Sequence, residues 1–483
     1  MNAWEIVQNV SAFFWDWPLP ILLLAVGVFT AIGFRGKQTF SIRTLFQNSL
    51  GTAFRKNDGG RGSITSFASA MTSLGNCVGT GNIGGVASAI AIGGPGAVFW
   101  MWLSGILGMS TKAAEIIIGQ RYRVKFSKSR DEYMCNRDFV LDHALGWRKL
   151  AIFSAVSVLI TQPINGLVQT NAVSSSIEEA FGVPQQITVW IVVVLLTITV
   201  LGGLKRISHI AETLVPFMCV VYIVAVVILL VLNWRNIPMA FASIFKYAFT
   251  PMSAVGGFVG ASVQQAFRYG IARGLFSNDS GVGAALCAHA PAKTDHPARQ
   301  ACWGWGENFV DTLIVCTCTA LAILCTDIYI LRPDITGVQL STAAFGQTFG
   351  WTGSSFLSIT VSLFAWTTLL GTYYQTEKSL NYLIGDKNIK WVTYIWMASY
   401  ILLQFLGSMD ATLLWVLADI SGVIKVLITL TLIVMLREEI FRLNTDFFDR
   451  YLPALKRGEN PAPVIYGDYD SAETAGDGQS TIS

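Results

Sequence analysis

Residues Val78 to Gly85, V-GTGNIGG, constrain this chain more than any other stretch. They lie inside an apolar segment, Ser63 to Ile92, long enough to cross a bilayer. Yet four of the eight are glycine, each about 1 kcal/mol worse than alanine in a helix interior. A helix broken in hydrocarbon bares N–H and C=O groups at several kcal/mol each, unless protein, water or a ligand satisfies them. Free carbonyls suit a cation and half-helix N-termini suit a carboxylate, so bound ions and a zwitterionic solute would use the break. The bland use of such glycines is close helix packing.

Composition sets the class. Hydrophobic residues make up 53% of the chain and charged residues 13%, against about 25% charged in soluble domains. The chain reads as an all-α polytopic membrane protein. A net charge of +3 gives no reason to invoke nucleic acid. No Lys or Arg precedes Arg35, so no cleaved signal peptide is indicated. The eight cysteines lack zinc-type spacing, and all but Cys77 read as small buried hydrophobes. The four scattered histidines suggest no metal site, and no cofactor is expected. An intramembrane enzyme needs a nucleophile with a base or a metal motif such as H-E-x-x-H, and neither is found.

Segments of about 20 mainly apolar residues number roughly eleven. They are Pro18–Phe34, Ser63–Ile92, a run that starts after the turn Gly93-Gly94-Pro95-Gly96 and reaches about Gly119, Leu150–Ala180, Ile187–Gly202, Ile207–Leu232, Ser253–Ala290, Asn308–Thr326, Trp351–Tyr374, Trp391–Leu406 and Ala411–Leu436. If loops alternate sides, one side gathers nearly all Lys and Arg. The other holds only Arg235, Lys246 and Arg332. That bias puts the C-terminus in the cytoplasm and the N-terminus outside a cell membrane. The last dozen or so residues are expected to be disordered.

With the first span (1–34) and a basic connector (35–62) set aside, ten spans remain before the tail (437–483). Spans one and six of these ten both carry glycine-rich interruptions, at Gly79–Gly85 and around Gly270–Gly283. Five spans followed by five have opposite topology. Residues 63–234 and 235–436 therefore read as a five-plus-five inverted repeat, whose paired interruptions point to a midplane binding site.

Long blocks also resemble the alanine or glycine:cation symporter family. They are GTGNIGGVASAIAIGGPGAVFWMW (Gly79–Trp102), LVQTNAVSSSIEEAFG (Leu167–Gly182), GGLKRISHIAETLVPFM (Gly202–Met218), RYGIARGLFSNDSGVG (Arg268–Gly283) and AHAPAKTDHPARQ (Ala288–Gln300). The resemblance implies an amino-acid/sodium symporter-type core with an extra N-terminal helix. It also implies Na⁺- or H⁺-driven uptake of a small neutral amino acid. Departures cluster near the implied site. Asn76 and Cys77 stand where the family has a small residue and Thr, and Asn165-Gly166 replaces Gly-Asn. Thr372 replaces a Trp, and Lys425 falls where a small residue precedes Pro-Asn.

Site candidates follow from coordination chemistry. Thr367 and Thr368, with carbonyls freed near Gly75 to Val78, would make an oxygen cage for a hard cation; each Thr bonding its own helix is the rival. Thr80, Gly81 and Asn82 would meet a substrate carboxylate at a half-helix start, with Asn82 as a plain N-cap the rival. Gln169 and Asn171 are buried amides that need partners, in the substrate or a neighbouring helix. Thr372 in place of an indole would empty on the order of 100 Å² or more. That would admit glutamine, serine or asparagine beside alanine and glycine. Asn278 and Asp279 are placed just after the second break, in a gate or helix-end role. Lys425 is either a tethered cation or switch, or a snorkelling residue reaching a cytoplasmic vestibule. Asp419, six residues earlier, would not share its helix face. Lys112 and Glu115 are expected to pair. A proton-coupled or uncoupled facilitator and a non-transporting nutrient sensor are the alternative functions.

Overall fold

In a computed structural model, the described residues are 3–52, 60–125, 132–253, 260–385, 390–409, 411–459, 461 and 469–470. Seven helices are long and apolar enough to cross a membrane: Gln8–Gly33, Ala97–Arg121, Arg148–Phe181, Gly203–Leu232, Pro297–Cys325, Trp351–Ile384 and Leu413–Met435. Two further apolar segments are interrupted, and Gln185–Val200 is apolar but shorter.

In chain order, α1 (Ala3–Asp16) and α2 (Pro18–Gly33) meet at Trp17. Next come α3 (Ser66–Cys77) and α4 (Val86–Gly93), the halves of the first interrupted segment. Then follow α5 (Ala97–Arg121), α6 (Arg148–Phe181), α7 (Gln185–Val200) and α8 (Gly203–Leu232). The second interrupted segment is α9 (Val263–Asn278) and α10 (Ala284–His289). It is followed by α11 (Pro297–Asn308), a π-helical stretch Phe309–Cys316 and α12 (Thr317–Cys325). Last come α13 (Trp351–Ile384), α14 (Lys390–Leu403), α15 (Ala411–Met435) and α16 (Arg437–Asp446).

The long helices α6 and α13 pack along one another, and α5 packs on α9 and α11. The outer faces are apolar. Trp190, Ile191 and Val194 of α7 and Phe217, Val220 and Val224 of α8 are exposed, as suits surfaces whose solvent is lipid. Polar groups are turned inward instead. Lys112, Glu115, Asn278, Asp311, His289 and Asn308 are all fully buried, and buried polar groups need partners.

Several expectations need correcting. Helix begins at Ala3, well before Pro18, and the N-terminal segment packs on α15, where Trp15 Nε1 donates to the Asp419 carbonyl at 3.1 Å. The span expected from Asn308 begins at Pro297, because His296 Nδ1 accepts from Ala298 N (3.0 Å) as an N-cap and Pro297 fits the first turn. The connector after Thr326 contains a helix, Gly337–Phe349, that lies over the first interruption. The charged loop 121–149 and the tail hold short strands Val124–Lys125, Tyr133–Met134 and Tyr469–Asp470 in one small sheet. Lys112 does not pair with Glu115; its Nζ lies 2.9 Å from Glu307 Oε2. Cys318 is half-buried, while the other cysteines are buried. The residues expected to be disordered, 471–483, lie outside the described ones.

Candidate substrate and ion site

The first break is shorter than its glycine content suggests. Helix α3 starts on a Thr65 cap, whose Oγ1 accepts from Ala68 N, and runs to Cys77. Only Val78 and Gly79 leave the helix, and the remaining glycines sit in a π-helical turn, Gly81–Gly85, that leads into α4. Gly79 is required for close approach: a Cβ there would stand 2.3 Å from Thr368 Oγ1. The backbone groups of the break are met directly by neutral side chains. Asn82 Oδ1 accepts from Gly79 N (2.9 Å), and its Nδ2 donates to Asp311 Oδ1 (2.6 Å). Gln169 Oε1 accepts from Thr80 Oγ1 (2.9 Å) and N (3.3 Å). Thr368 Oγ1 donates to the Gly75 carbonyl, 3.2 Å away on the facing helix.

The second break is longer, and ionisable side chains close it. Asp279 ends α9 in the left-handed region (φ 55°), and Gly281 follows at φ 96°. Three donors of one ammonium are used there. Lys112 Nζ lies 3.0 Å from the Asn278 carbonyl, 3.1 Å from Cys77 Sγ and 2.9 Å from Glu307 Oε2. On the other side of the turn, Gly281 N donates to Glu115 Oε1. The two breaks are tied directly, because Asn76 Nδ2 donates to Asp279 Oδ2.

Between them lies a cavity of about 70 Å³, room for roughly five waters at 10–15 Å³ each. Gly79, Gly81, Cys77 and Thr368 line it on the side of the first break, and Asp279 on the side of the second. Its far wall is a chain of amides. Gln375 Nε2 reaches Asn76 Oδ1 at 3.4 Å, Gln162 Nε2 donates to Gln375 Oε1 at 2.5 Å, and Asn165 Nδ2 donates to Gln162 Oε1 at 2.9 Å. Lys425 Nζ donates to the same Gln162 oxygen at 3.2 Å.

A second, larger space of about 560 Å³ opens beside it, lined by Thr80, Asn171, Ser175, Gln339, Arg273 and Trp415. Only a thin wall separates the two. Arg273 Nη1 lies 3.2 Å from Asp419 Oδ1, and its guanidinium stacks over Trp415 at 4.4 Å. The Phe276 and Trp415 rings pack at 4.8 Å. Phe276 and Asp419 face the cavity, while Arg273 and Trp415 face the vestibule.

Of the residues picked from sequence, the cavity brings together Asn76, Cys77, Gly81, Gln169, Thr368, Thr372, Asp419 and Lys425. Thr80 and Asn171 line the vestibule instead. Asn171 Nδ2 bonds the Gly407 and Met409 carbonyls, the interhelical alternative. Asn82 faces Asp311 because the π turn rotates it off the cavity. Gly75, Val78 and Thr367 lie behind the wall, and Thr367 Oγ1 bonds its own helix at Phe364. The snorkelling reading of Lys425 fails: the side chain is 8% exposed and turned into the cavity wall. Asp419 and Lys425 line the same cavity from different heights on α15, about 9 Å apart along the axis. Thr372 leaves less room than its size implies. Tyr400 fills part of that space, its hydroxyl 2.7 Å from Thr372 Oγ1. Asp279 is at the break rather than after it.

Trp15, Gln162, Asn165, Gln375, Arg273 and Lys112 join the site without a role expected from the sequence. Gln162 and Asn165 carried a signal, two polar residues three apart in an apolar helix, hence on one face. Trp15 carried none. Among the described residues, no group of three or more His, Cys, Asp or Glu is arranged to hold a metal ion.

The profile of the sodium:alanine symporter family matches residues 1–462. An uncharacterized transporter of Haemophilus influenzae is 36% identical, over 93% of this chain and 97% of its own. The sodium/alanine symporter AgcS of Methanococcus maripaludis is 35% identical, over 87% and 91%. The probable sodium/glutamine symporter GlnT of Bacillus subtilis is 32% identical, over 96% and 93%. Among solved structures, MhsT in complex with L-phenylalanine superposes with a TM-score of 0.58 at 13% identity, covering 82% of this chain and 95% of that one. That likeness concerns the fold.

Proposed function

Because the chain belongs to the sodium:alanine symporter family, a family of transporters rather than enzymes, we propose that it couples Na⁺ entry to uptake of a small neutral amino acid by alternating access. The observation that carries this is the shared cavity. Both interrupted helices line it, and the Asn76–Asp279 bond joins them across it. A zwitterion fits its charges: the Asp279 carboxylate takes the ammonium, and the Gly79–Gly81 turn, at the start of the second half-helix, takes the carboxylate. The side chain then faces Gln162, Asn165, Gln375 and Lys425. That amide-rich wall favours a polar side chain, with glutamine, serine and asparagine as the candidates beside alanine. The relatives named for alanine and glutamine bracket the same range.

Thr368 Oγ1 and the Gly75 carbonyl are the oxygens assigned to Na⁺, a hard cation. The Arg273–Asp419 pair with Phe276 and Trp415 is the gate toward the vestibule, on the face read as outside. The membrane architecture proposed is eleven spans, ten of them in a five-plus-five inverted repeat, with the N-terminus outside and the C-terminus cytoplasmic. The seven long spans, two interrupted segments, α7 and α14 support that count. The test is uptake into proteoliposomes across an amino-acid panel, with and without an inward Na⁺ gradient. Gradient-driven accumulation of at least one small amino acid is expected. Flux that only equilibrates, or no flux, rejects symport. Strict preference for glycine over every larger amino acid rejects the polar side-chain assignment.

A further inference from the structure

Lys112 is fully buried in α5, yet its ammonium lies where the two breaks meet. An ammonium has three donors, and all three are used here. The acceptors come from three other elements: the terminal carbonyl of α9 (Asn278), the last side chain of α3 (Cys77) and a carboxylate of α11 (Glu307). Glu307 cannot turn away. Its Oε1 is held by His289 Nε2 at 2.6 Å, and its Oε2 accepts from Ser73 Oγ at 2.7 Å. Without the ammonium, what remains is a fixed carboxylate and the freed carbonyl at the negative end of a helix dipole. Those are ligands a hard cation takes. Cys77 and Asp279 line the cavity and Lys112 does not, so the charge sits one side chain behind the wall.

We propose that Lys112 is a built-in coupling cation: its ammonium permanently holds, at the second break, the place a second travelling ion would fill, so that one Na⁺ accompanies each zwitterionic substrate. This rests on the Na⁺-symport reading above. A covalently tethered ammonium cannot leave with the substrate. At the first break, by contrast, two neutral oxygens, Thr368 Oγ1 and the Gly75 carbonyl, stand 3.2 Å apart. The travelling ion is therefore assigned to the first break alone. The Asn76–Asp279 bond links the two positions, so filling the first is felt at the second.

The test is the reversal potential of substrate flux in proteoliposomes holding the full chain, with alanine and glutamine as the probes and Na⁺ gradients of set size. The wild type is expected to carry one charge per amino acid, and a value of two overturns the proposal. Lys112→Ala, with Glu307 retained, is expected to lose uptake by more than tenfold at ordinary Na⁺. It should regain uptake when Na⁺ is raised or methylammonium is added, and carry two charges per substrate in the Na⁺ arm. A folded Lys112→Ala protein that keeps a ratio of one, or that neither cation rescues, also overturns it. If that variant fails to fold, the wild-type ratio decides alone. Loss of Na⁺-driven accumulation altogether would remove the transport reading. Accumulation with a ratio of two would remove only this inference.

Discussion

The two broken helices solve one physical problem in opposite ways. Each must satisfy backbone groups laid bare at mid-membrane. At the first break, α3 to α4, the partners are neutral: Asn82, Gln169 and Thr368. At the second, α9 to α10, they are ionisable side chains: Lys112 at the carbonyl end and Glu115 at the N–H end. Neutral dipoles release their partners at a cost near that of an ordinary hydrogen bond, about 0.5–1.5 kcal/mol. A buried ion pair that loses one member costs about 3–5 kcal/mol. The first break is thus built to exchange ligands, and the second to stay as it is.

The largest effect should come from breaking the static side. Glu307→Gln leaves Lys112 without its carboxylate, and about 3–5 kcal/mol of stability should be lost. Thermal unfolding in detergent would read this as a drop of several degrees. An unchanged melting curve would make the two breaks equivalent. Next is Gly79→Ala at the exchanging side. The added Cβ meets Thr368 Oγ1 at 2.3 Å, so uptake should fall about a hundredfold, or ~2.7 kcal/mol, while melting changes less than for Glu307→Gln.

Thr368→Val removes one hydroxyl oxygen of the same side chain size. The Na⁺ concentration for half-maximal uptake should rise about tenfold, equivalent to ~1.4 kcal/mol, with little change in stability. If Na⁺ dependence stays put, the first break is not where the ion binds. The smallest effect is expected at the gate. Asp419 is a quarter exposed, and partly exposed pairs contribute about 1 kcal/mol or less. Asp419→Asn should change apparent substrate affinity by two- to fivefold and leave the Na⁺ dependence alone.

Much of this plan was legible in the residues. The glycines at 79, 81, 84 and 85 announce a helix that cannot run through unperturbed, and the Gly281 and Gly283 pair repeats the message. Apolar runs of 16 to 31 residues locate the rest. Gln169, Thr368 and Lys425 stand out because polar side chains in hydrocarbon-length segments need partners, and Asn76 and Cys77 because they depart from the pattern of the family the chain resembles. Which partner each one takes was not legible. Asn82 could serve a ligand or cap its own helix, and the fold instead ties its amide to Gly79 N and to Asp311 of another segment. Lys425 could reach solvent or the cavity, and packing against Gln162 decided for the cavity.

What the sequence alone determined is therefore local: where helices form, where they fail, and which segments lipid can surround. These depend on residue type and near-neighbour periodicity, which a linear string carries. Only the tertiary structure decided that Lys112 answers Glu307 rather than Glu115, that Trp15 from the far N-terminus closes on α15, and that Arg273 and Asp419 stand between cavity and vestibule. Those pairings join residues up to about 400 positions apart. They are set by helix rotation and crossing geometry, and a shift of one residue along a helix turns a side chain by about 100°.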